Sequence, residues 1–274
     1  MTEYWVLAVG LISILSTAAF AVFLVTQRRL ASAVGVGLLG AGFLLLTFCL
    51  TVNWVTTKGF PARNLYETLL VAAWAVAGAF LVLHVRLRLS ILGVMAAPLV
   101  MLLILIATQL SSDPVVNKPV FNSFWLVIHV AAILTGEALL ALACCAGILY
   151  LLQERAIKQK KRGFFYERLP SLEPLDATGY LGIVSGFTLM TFGLIIGMIY
   201  ARSVWGRFWS WNPKEVWSGV TWLLYAVLLH GRLTVGWRGR RAAVMAIIGF
   251  VIIIVTFIAT NYWMEGHHGQ FTRF

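Results

Sequence analysis

Charge is scarce in this chain: only 11% of its 274 residues are Asp, Glu, Lys or Arg. So few charges cannot clothe a soluble domain of this size, which excludes soluble enzymes and soluble binding modules. Cysteine is scarce as well, with three residues, Cys49, Cys144 and Cys145, all inside apolar stretches and none in a C-x-x-C spacing. That excludes a disulfide framework, a thiol oxidoreductase motif and thioether attachment of a prosthetic group to this chain; the three read as small buried apolar side chains. Internal repeats and low-complexity segments are absent too, so the signature of an inverted-repeat transporter is missing.

What is present is hydrophobicity, at 61% of residues and a mean hydropathy of +0.89. Apolar runs long enough to cross a hydrocarbon core of ~30 Å, roughly 20 residues each, occur eight times. They lie near 5–26, 31–55, 65–87, 90–110, 123–152, 178–200, 216–235 and 242–263. The first is too long and too weakly basic at its start for a cleavable signal. The chain reads as an all-α, polytopic membrane helix bundle of about eight transmembrane helices, a single membrane domain over residues 1–274.

Lys and Arg are enriched in cytoplasmic connections. Alternate connections hold fourteen of them on one side, including Arg28, Arg86, Arg155, Lys158, Arg168 and Arg232 to Arg241, against seven on the other. The bias places both termini, and the loop over 201–217, outside the cytoplasm. The net charge of +11 then belongs mostly to the inner face, where it matches anionic headgroups of the lipid bilayer. Nothing asks for nucleic acid.

Two of the outer connections carry a helix-start grammar. Asn64-Leu-Tyr-Glu67 and Asn212-Pro-Lys-Glu215 each place an Asn as cap, with a Glu three residues on able to reach back to the Asn amide. Pro213 falls at the first helical position, where a missing amide proton costs nothing. The inner loop near 153–177 carries a dense basic run from Lys158 to Arg162 and then LPSLEPLD, a topology determinant beside headgroups.

Ionisable side chains inside spans are functional candidates, because leaving one there alone is expensive. His129 lies about two turns inside the fifth span from its outer end, and the pair His267 and His268 lies just past the outer end of the last. His230 is 13 residues beyond Trp217, roughly 20 Å deeper at helical rise. His84 falls at the inner end of the third span. For His129 a metal or cofactor role competes with an interhelical hydrogen bond, and for His230 with a residue that merely faces headgroups.

Between the sixth and seventh spans, WGRFWSWNPKEVW packs Trp205, Trp209, Trp211 and Trp217 into thirteen residues, with Phe208, Arg202, Arg207 and Lys214 interleaved. Interfacial tryptophans are ordinarily scattered singly. Flat aromatic faces supply stacking area and the cations suit carboxylates, so the cluster fits a large planar acid. Haem has that shape, and its iron takes two axial imidazoles.

These residues resemble the haem-handling "WWD" proteins of cytochrome c biogenesis, of the CcsA/ResC type, related to CcmC, CcmF and HemX. The matching segments are 205–233, NLYETLLVAAW at 64–74, FWLVIHV at 124–130, LPSLEPLD at 169–176 and GWRGRRAAVMAIIGF at 236–250. The resemblance implies that His129 and His268, or its neighbour His267, are the outer axial ligands of haem b, with Asn261 and Gly266 fixing the register of the tail. It also implies that His230 serves an inner haem site. Asn212 stands where the family motif has Asp, which keeps the cap and removes a charge.

The implied activity is that of the haem-handling subunit of a Ccs-type (system II) machinery in the bacterial cytoplasmic (inner) membrane. It takes haem across the membrane and presents it at the outer, periplasmic face for attachment to the C-x-x-C-H thiols of apocytochrome c, as part of a holocytochrome c synthetase. A CcsB/ResB-like membrane subunit is the implied companion. A HemX-like regulator of haem biosynthesis and a small-molecule transporter are the alternative readings.

Overall fold

The computed structural model of the protein describes residues 3–110, 123–160 and 163–262, and among these every regular element is helical. Helix α1 (Glu3–Thr26) leads into α2 (Arg29–Thr57), α3 (Leu65–Leu87), a 3-10 turn (Ser90–Leu92) continuous with α4 (Gly93–Thr108), and α5 (Phe124–Lys158). A one-turn α6 (Phe164–Arg168) precedes α7 (Leu172–Trp205), α8 (Pro213–Thr234) and α9 (Arg240–Tyr262). The histidine pair at 267 and 268, with Gly266, lies outside the described residues.

Seven of these segments are long and apolar enough to cross a membrane: α1, α2, α3, the 3-10 turn with α4, α5, α7 and α9. The eighth expected span, near 216–235, is a helix as well, but α8 falls short in hydropathy. Its 22 residues include Lys214, Glu215, Ser218, Thr221, His230 and Arg232, so it is an amphipathic member of the bundle.

Helix α5 divides the bundle. Leu134, Ala138, Leu139 and Leu142 face a core built from α1, α2, α3 and α4, while Leu140 and Ala143 join Ile183, Met190, Tyr225 and Ala246 of α7, α8 and α9. The contact of α5 with α7 is close because glycines face each other there. A Cβ on Gly136 would stand 2.9 Å from the Gly186 carbonyl oxygen, and one on Gly186 would stand 2.8 Å from that of Gly136. Without a hydrophobic drive between helices in lipid, such small-residue packing is a main source of attraction.

Both expected caps form. Asn64 Oδ1 accepts from the Glu67 amide at 2.8 Å, and Asn212 Oδ1 from the Glu215 amide at 3.0 Å. The return halves of the capping boxes differ from expectation. Glu67 accepts from the Arg63 amide at 2.9 Å because the Arg63 guanidinium, bonded also to Asn53, holds the carboxylate there. Glu215 accepts from the Ser210 amide at 2.7 Å, since Trp211 turns the chain through a left-handed conformation (φ 58°) just before the cap.

At the opposite end of the bundle Arg232 donates to both oxygens of Asp176, at 3.0 and 2.6 Å, and its guanidinium lies 4.4 Å from the Tyr180 ring centroid. Asp176 also accepts from the Gly239 amide at 2.9 Å. This clip ties α7, the end of α8 and the turn into α9, and it joins LPSLEPLD to the stretch from Leu229 to Arg232. The basic run is tied back as well, through Glu154 to Lys158 at 2.7 Å and to Arg240 at 3.1 Å.

Candidate functional site

The site grows from one imidazole. His129 sits near the start of α5, where the neighbouring helix α7 leaves a groove: a Cβ on Gly197 would lie 2.5 Å from His129 Cε1 and 2.6 Å from Nδ1. The ring fits because that position carries none. His129 Nδ1 is 2.7 Å from the carbonyl oxygen of Gly193. A carbonyl only accepts, so Nδ1 carries the proton and Nε2 keeps its lone pair, the arrangement that fixes a histidine as a metal ligand.

This ring lines a cavity of about 270 Å³ together with Trp205, Phe208, Trp209, Lys214 and Glu215. Four residues singled out in the sequence, His129, Trp205, Trp209 and Lys214, thus meet in one space, although 85 residues of chain separate the first from the last. The loop reaches over the cavity because α7 ends at Gly206, whose φ of 72° suits glycine and whose amide closes on the Arg202 carbonyl at 2.9 Å.

Other sequence candidates are placed elsewhere. Trp211 is 78% exposed and packs edge-on to Trp209 at 6.1 Å. Trp217 is half-buried and does not line the cavity. Trp222, one turn further along α8, donates to Thr191 of α7 at 2.9 Å and so serves helix packing. Arg202 and Arg207 are exposed, Arg202 lying 4.5 Å over the Phe208 ring. His230 is exposed near the far end of α8, whereas His84 stacks on Phe80 at 5.7 Å with its Nδ1 buried and unpartnered among the described residues. No hydrogen bond or ring contact joins these two among the described residues.

Two polar groups of the lining, Lys214 and the Trp209 indole, mark the chemistry the cavity can accept, and Asn212 caps α8 two residues before Lys214. Lys214 precedes the apolar part of α8, and burial pushes its ammonium down to about 8. Trp209 Nε1 and Asn212 Nδ2 are buried donors without an acceptor among the described residues, an unusual state for buried polar atoms. Donors and a cation at the edge, aromatic walls and one available imidazole nitrogen fit a planar, metal-bearing acid. Among the described residues no group of three or more His, Cys, Asp or Glu could hold a bare metal ion.

Sequence reasoning missed the seat of His129, where Gly197 leaves room for the ring and the Gly193 carbonyl takes its Nδ1 proton, and it missed Glu137. This acid on α5 faces an adjoining cavity of about 200 Å³ that shares Ile133, Leu194, Lys214 and Ser218 with the first. Its signal was present: a carboxyl inside an apolar run is a candidate on the same ground as a histidine.

The chain matches the family described as Cytochrome C assembly protein over residues 62–268, a stretch that contains the cavity lining apart from Phe60 and leaves α1 and α2 outside. It is 31% identical over 246 residues to "Cytochrome c biogenesis protein CcsA" of Guillardia theta, covering 82% of this chain and 81% of that one. The protein of the same name in Chlorella vulgaris is 34% identical over 268 residues, covering 85% and 84%. That of Prochlorococcus marinus (strain NATL2A) is 35% identical over 256 residues, covering 82% and 81%.

Proposed function

We propose a function from one premise: this chain belongs to the Cytochrome C assembly protein family and is a CcsA-type cytochrome c biogenesis protein. Its task is to hold haem b as cargo at the tryptophan-loop end of the bundle and present it for covalent attachment to the C-x-x-C-H thiols of apocytochrome c. The observation that carries this reading is the tautomer of His129, whose Nδ1–H is taken by Gly193 and whose Nε2 is left for iron in a cavity walled by Trp205 and Trp209.

The residues divide the work. His129 supplies one axial nitrogen, and His268 or His267 of the tail supplies the second. Trp205, Phe208 and Trp209 give the macrocycle apolar contact area. Lys214, with the Trp209 and Asn212 N–H groups, receives the propionates through charge-assisted and neutral hydrogen bonds, and Arg202 and Arg207 act at the solvent edge. Bound haem supplies the vinyl groups to which the cysteine thiols add; the protein's part is to fix their position and limit water.

In this reading the tryptophan loop lies on the periplasmic side of the bacterial inner membrane, with both termini. A CcsB-type membrane subunit completes the synthetase, and His230 takes haem at the inner side before transfer. The names carried by the similar proteins favour attachment over HemX-like regulation.

Cells that depend on this protein for c-type cytochromes test the reading. His129→Ala is expected to abolish haem-stained holocytochrome c while the membrane level of the protein stays constant. Unchanged holocytochrome c with an altered early haem-pathway enzyme would instead establish the regulatory role.

A further inference from the structure

The wall of the first cavity comes from α5, α7, the tryptophan loop and the start of α8, with two exceptions. Phe60 and Ala62 reach it from the connection between α2 and α3. Neither side chain is polar, so contact area is all they can offer.

The local chain holds these two residues in place. Lys58 caps α2 in a left-handed conformation (φ 53°), and the Ala62 amide donates to the Phe60 carbonyl at 2.8 Å across Pro61. That is a three-residue turn at whose centre proline presets φ, so Phe60 and Ala62 flank one tight bend. The Phe60 ring is half-buried. It packs against the first core, stands edge-on to Trp54 at 5.4 Å and lines the cavity as well.

Immediately after the bend comes Arg63. Its guanidinium donates to both carboxylate oxygens of Glu67 on α3, through Nε at 3.0 Å and through Nη2, and Nη2 also donates to Asn53 Oδ1 of α2 at 3.0 Å. Asn53 Nδ2 closes the network by donating to Glu67 at 3.3 Å. All three residues are at most 6% exposed, so the guanidinium can act on a ligand only through the chain it holds. A buried ion pair is weak evidence of a role in stability, because apolar groups of similar volume often serve as well. A two-point guanidinium–carboxylate bond does fix direction, and here it pins the bend to two helices at once.

We propose that Phe60 is a haem-contact residue, an aromatic wall supplied from outside the tryptophan motif, and that Arg63, held by Glu67 and Asn53, is the residue that positions it. The contact is with the face or edge of the planar macrocycle, as for Trp205 and Trp209. This rests on the functional reading above and adds to it a second segment of the chain that shapes the site.

The test is a set of ferric haem titrations on the purified, detergent-solubilised full chain, read by Soret absorbance. Phe60→Ala should weaken binding roughly tenfold, the size of a lost ring contact, with the axial bands unchanged because His129 keeps its seat. Arg63→Met combined with Glu67→Gln, a pair that strands no charge, should weaken binding by a similar factor. In a Phe60→Ala background the same pair should cost no further affinity, since it acts through a ring already removed. An equal cost in both backgrounds means an effect on the fold at large and overturns the positioning role. Unchanged affinity in Phe60→Ala overturns the contact and leaves the functional reading intact. Should the charge-free pair fail to fold, Asn53→Leu, which removes the α2 anchor with a side chain of similar shape, is read in the same two backgrounds with the same outcomes. An unmodified chain that binds no haem overturns the functional reading itself.

Discussion

His129 Nδ1 and the carbonyl oxygen of Gly193 are 2.7 Å apart, and this bond between α5 and α7 sets which imidazole nitrogen is left for a ligand. The ring fits because Gly197 carries no side chain, so the orientation of the candidate ligand on one helix is decided by a glycine and a backbone carbonyl on another.

Gly197→Ala tests that seat without touching the ligand. Its Cβ would fall 2.5 Å from His129 Cε1, far inside contact distance, so the ring must move. Haem affinity should drop at least tenfold, about 1.4 kcal/mol, with the axial spectrum altered and the helical content of the protein preserved.

The tryptophans should separate into two classes. Trp205→Ala and Trp209→Ala remove cavity wall and should each weaken haem binding by roughly tenfold, with Phe restoring most of it, since ring contact area is what is lost. Trp211→Ala, at a residue 78% exposed, should have little effect on the dissociation constant. Titrations of the alanine series would show the split.

Lys214 predicts a pH dependence. The ammonium binds a propionate only when charged, and burial has lowered it to about 8 in the free protein. Haem affinity should therefore be level below that pH and fall as pH rises through it, by up to about tenfold per unit until the pair itself deprotonates. Lys214→Gln should weaken binding at pH 7 by about 1.5–3 kcal/mol and flatten this alkaline decline, while Arg202→Gln and Arg207→Gln leave the decline in place.

The Asp176–Arg232 clip is a stability feature at the end of the bundle away from the cavity. Asp176→Ala strands a guanidinium that is 9% exposed, at a cost of about 2 kcal/mol, reduced from the fully buried case because the carboxylate keeps some contact with solvent. Thermal unfolding in detergent should show a lower midpoint, and Asp176→Ala with Arg232→Ala should cost less than the sum of the single changes.

The spans were legible because twenty apolar residues in a row have few other physical uses, and the caps were legible because Asn64 and Asn212 act within their own turn. The return contacts of Glu67 and Glu215 were not, since they depend on where Arg63 and Trp211 send the chain. His129 stands out in the sequence as an ionisable group in an apolar run, and Glu137 carries the same signal on the same helix. The tryptophan motif pointed to the end of the bundle where the cavity lies, yet which rings face that cavity follows from the left-handed residues Gly206 and Trp211, a tertiary fact. Helix α8 was read as one more span because its aromatic residues hide how polar the rest of it is.

The central claim is that His129 ligates haem through Nε2, and the most direct measurement is the absorption spectrum of the purified chain loaded with haem, beside His129→Gly with and without added imidazole. The account predicts a bis-histidine, low-spin b-type spectrum for the unmodified chain, its loss in His129→Gly, and its partial return when imidazole fills the vacated groove. A His129→Gly protein that keeps the unmodified spectrum without imidazole would contradict it.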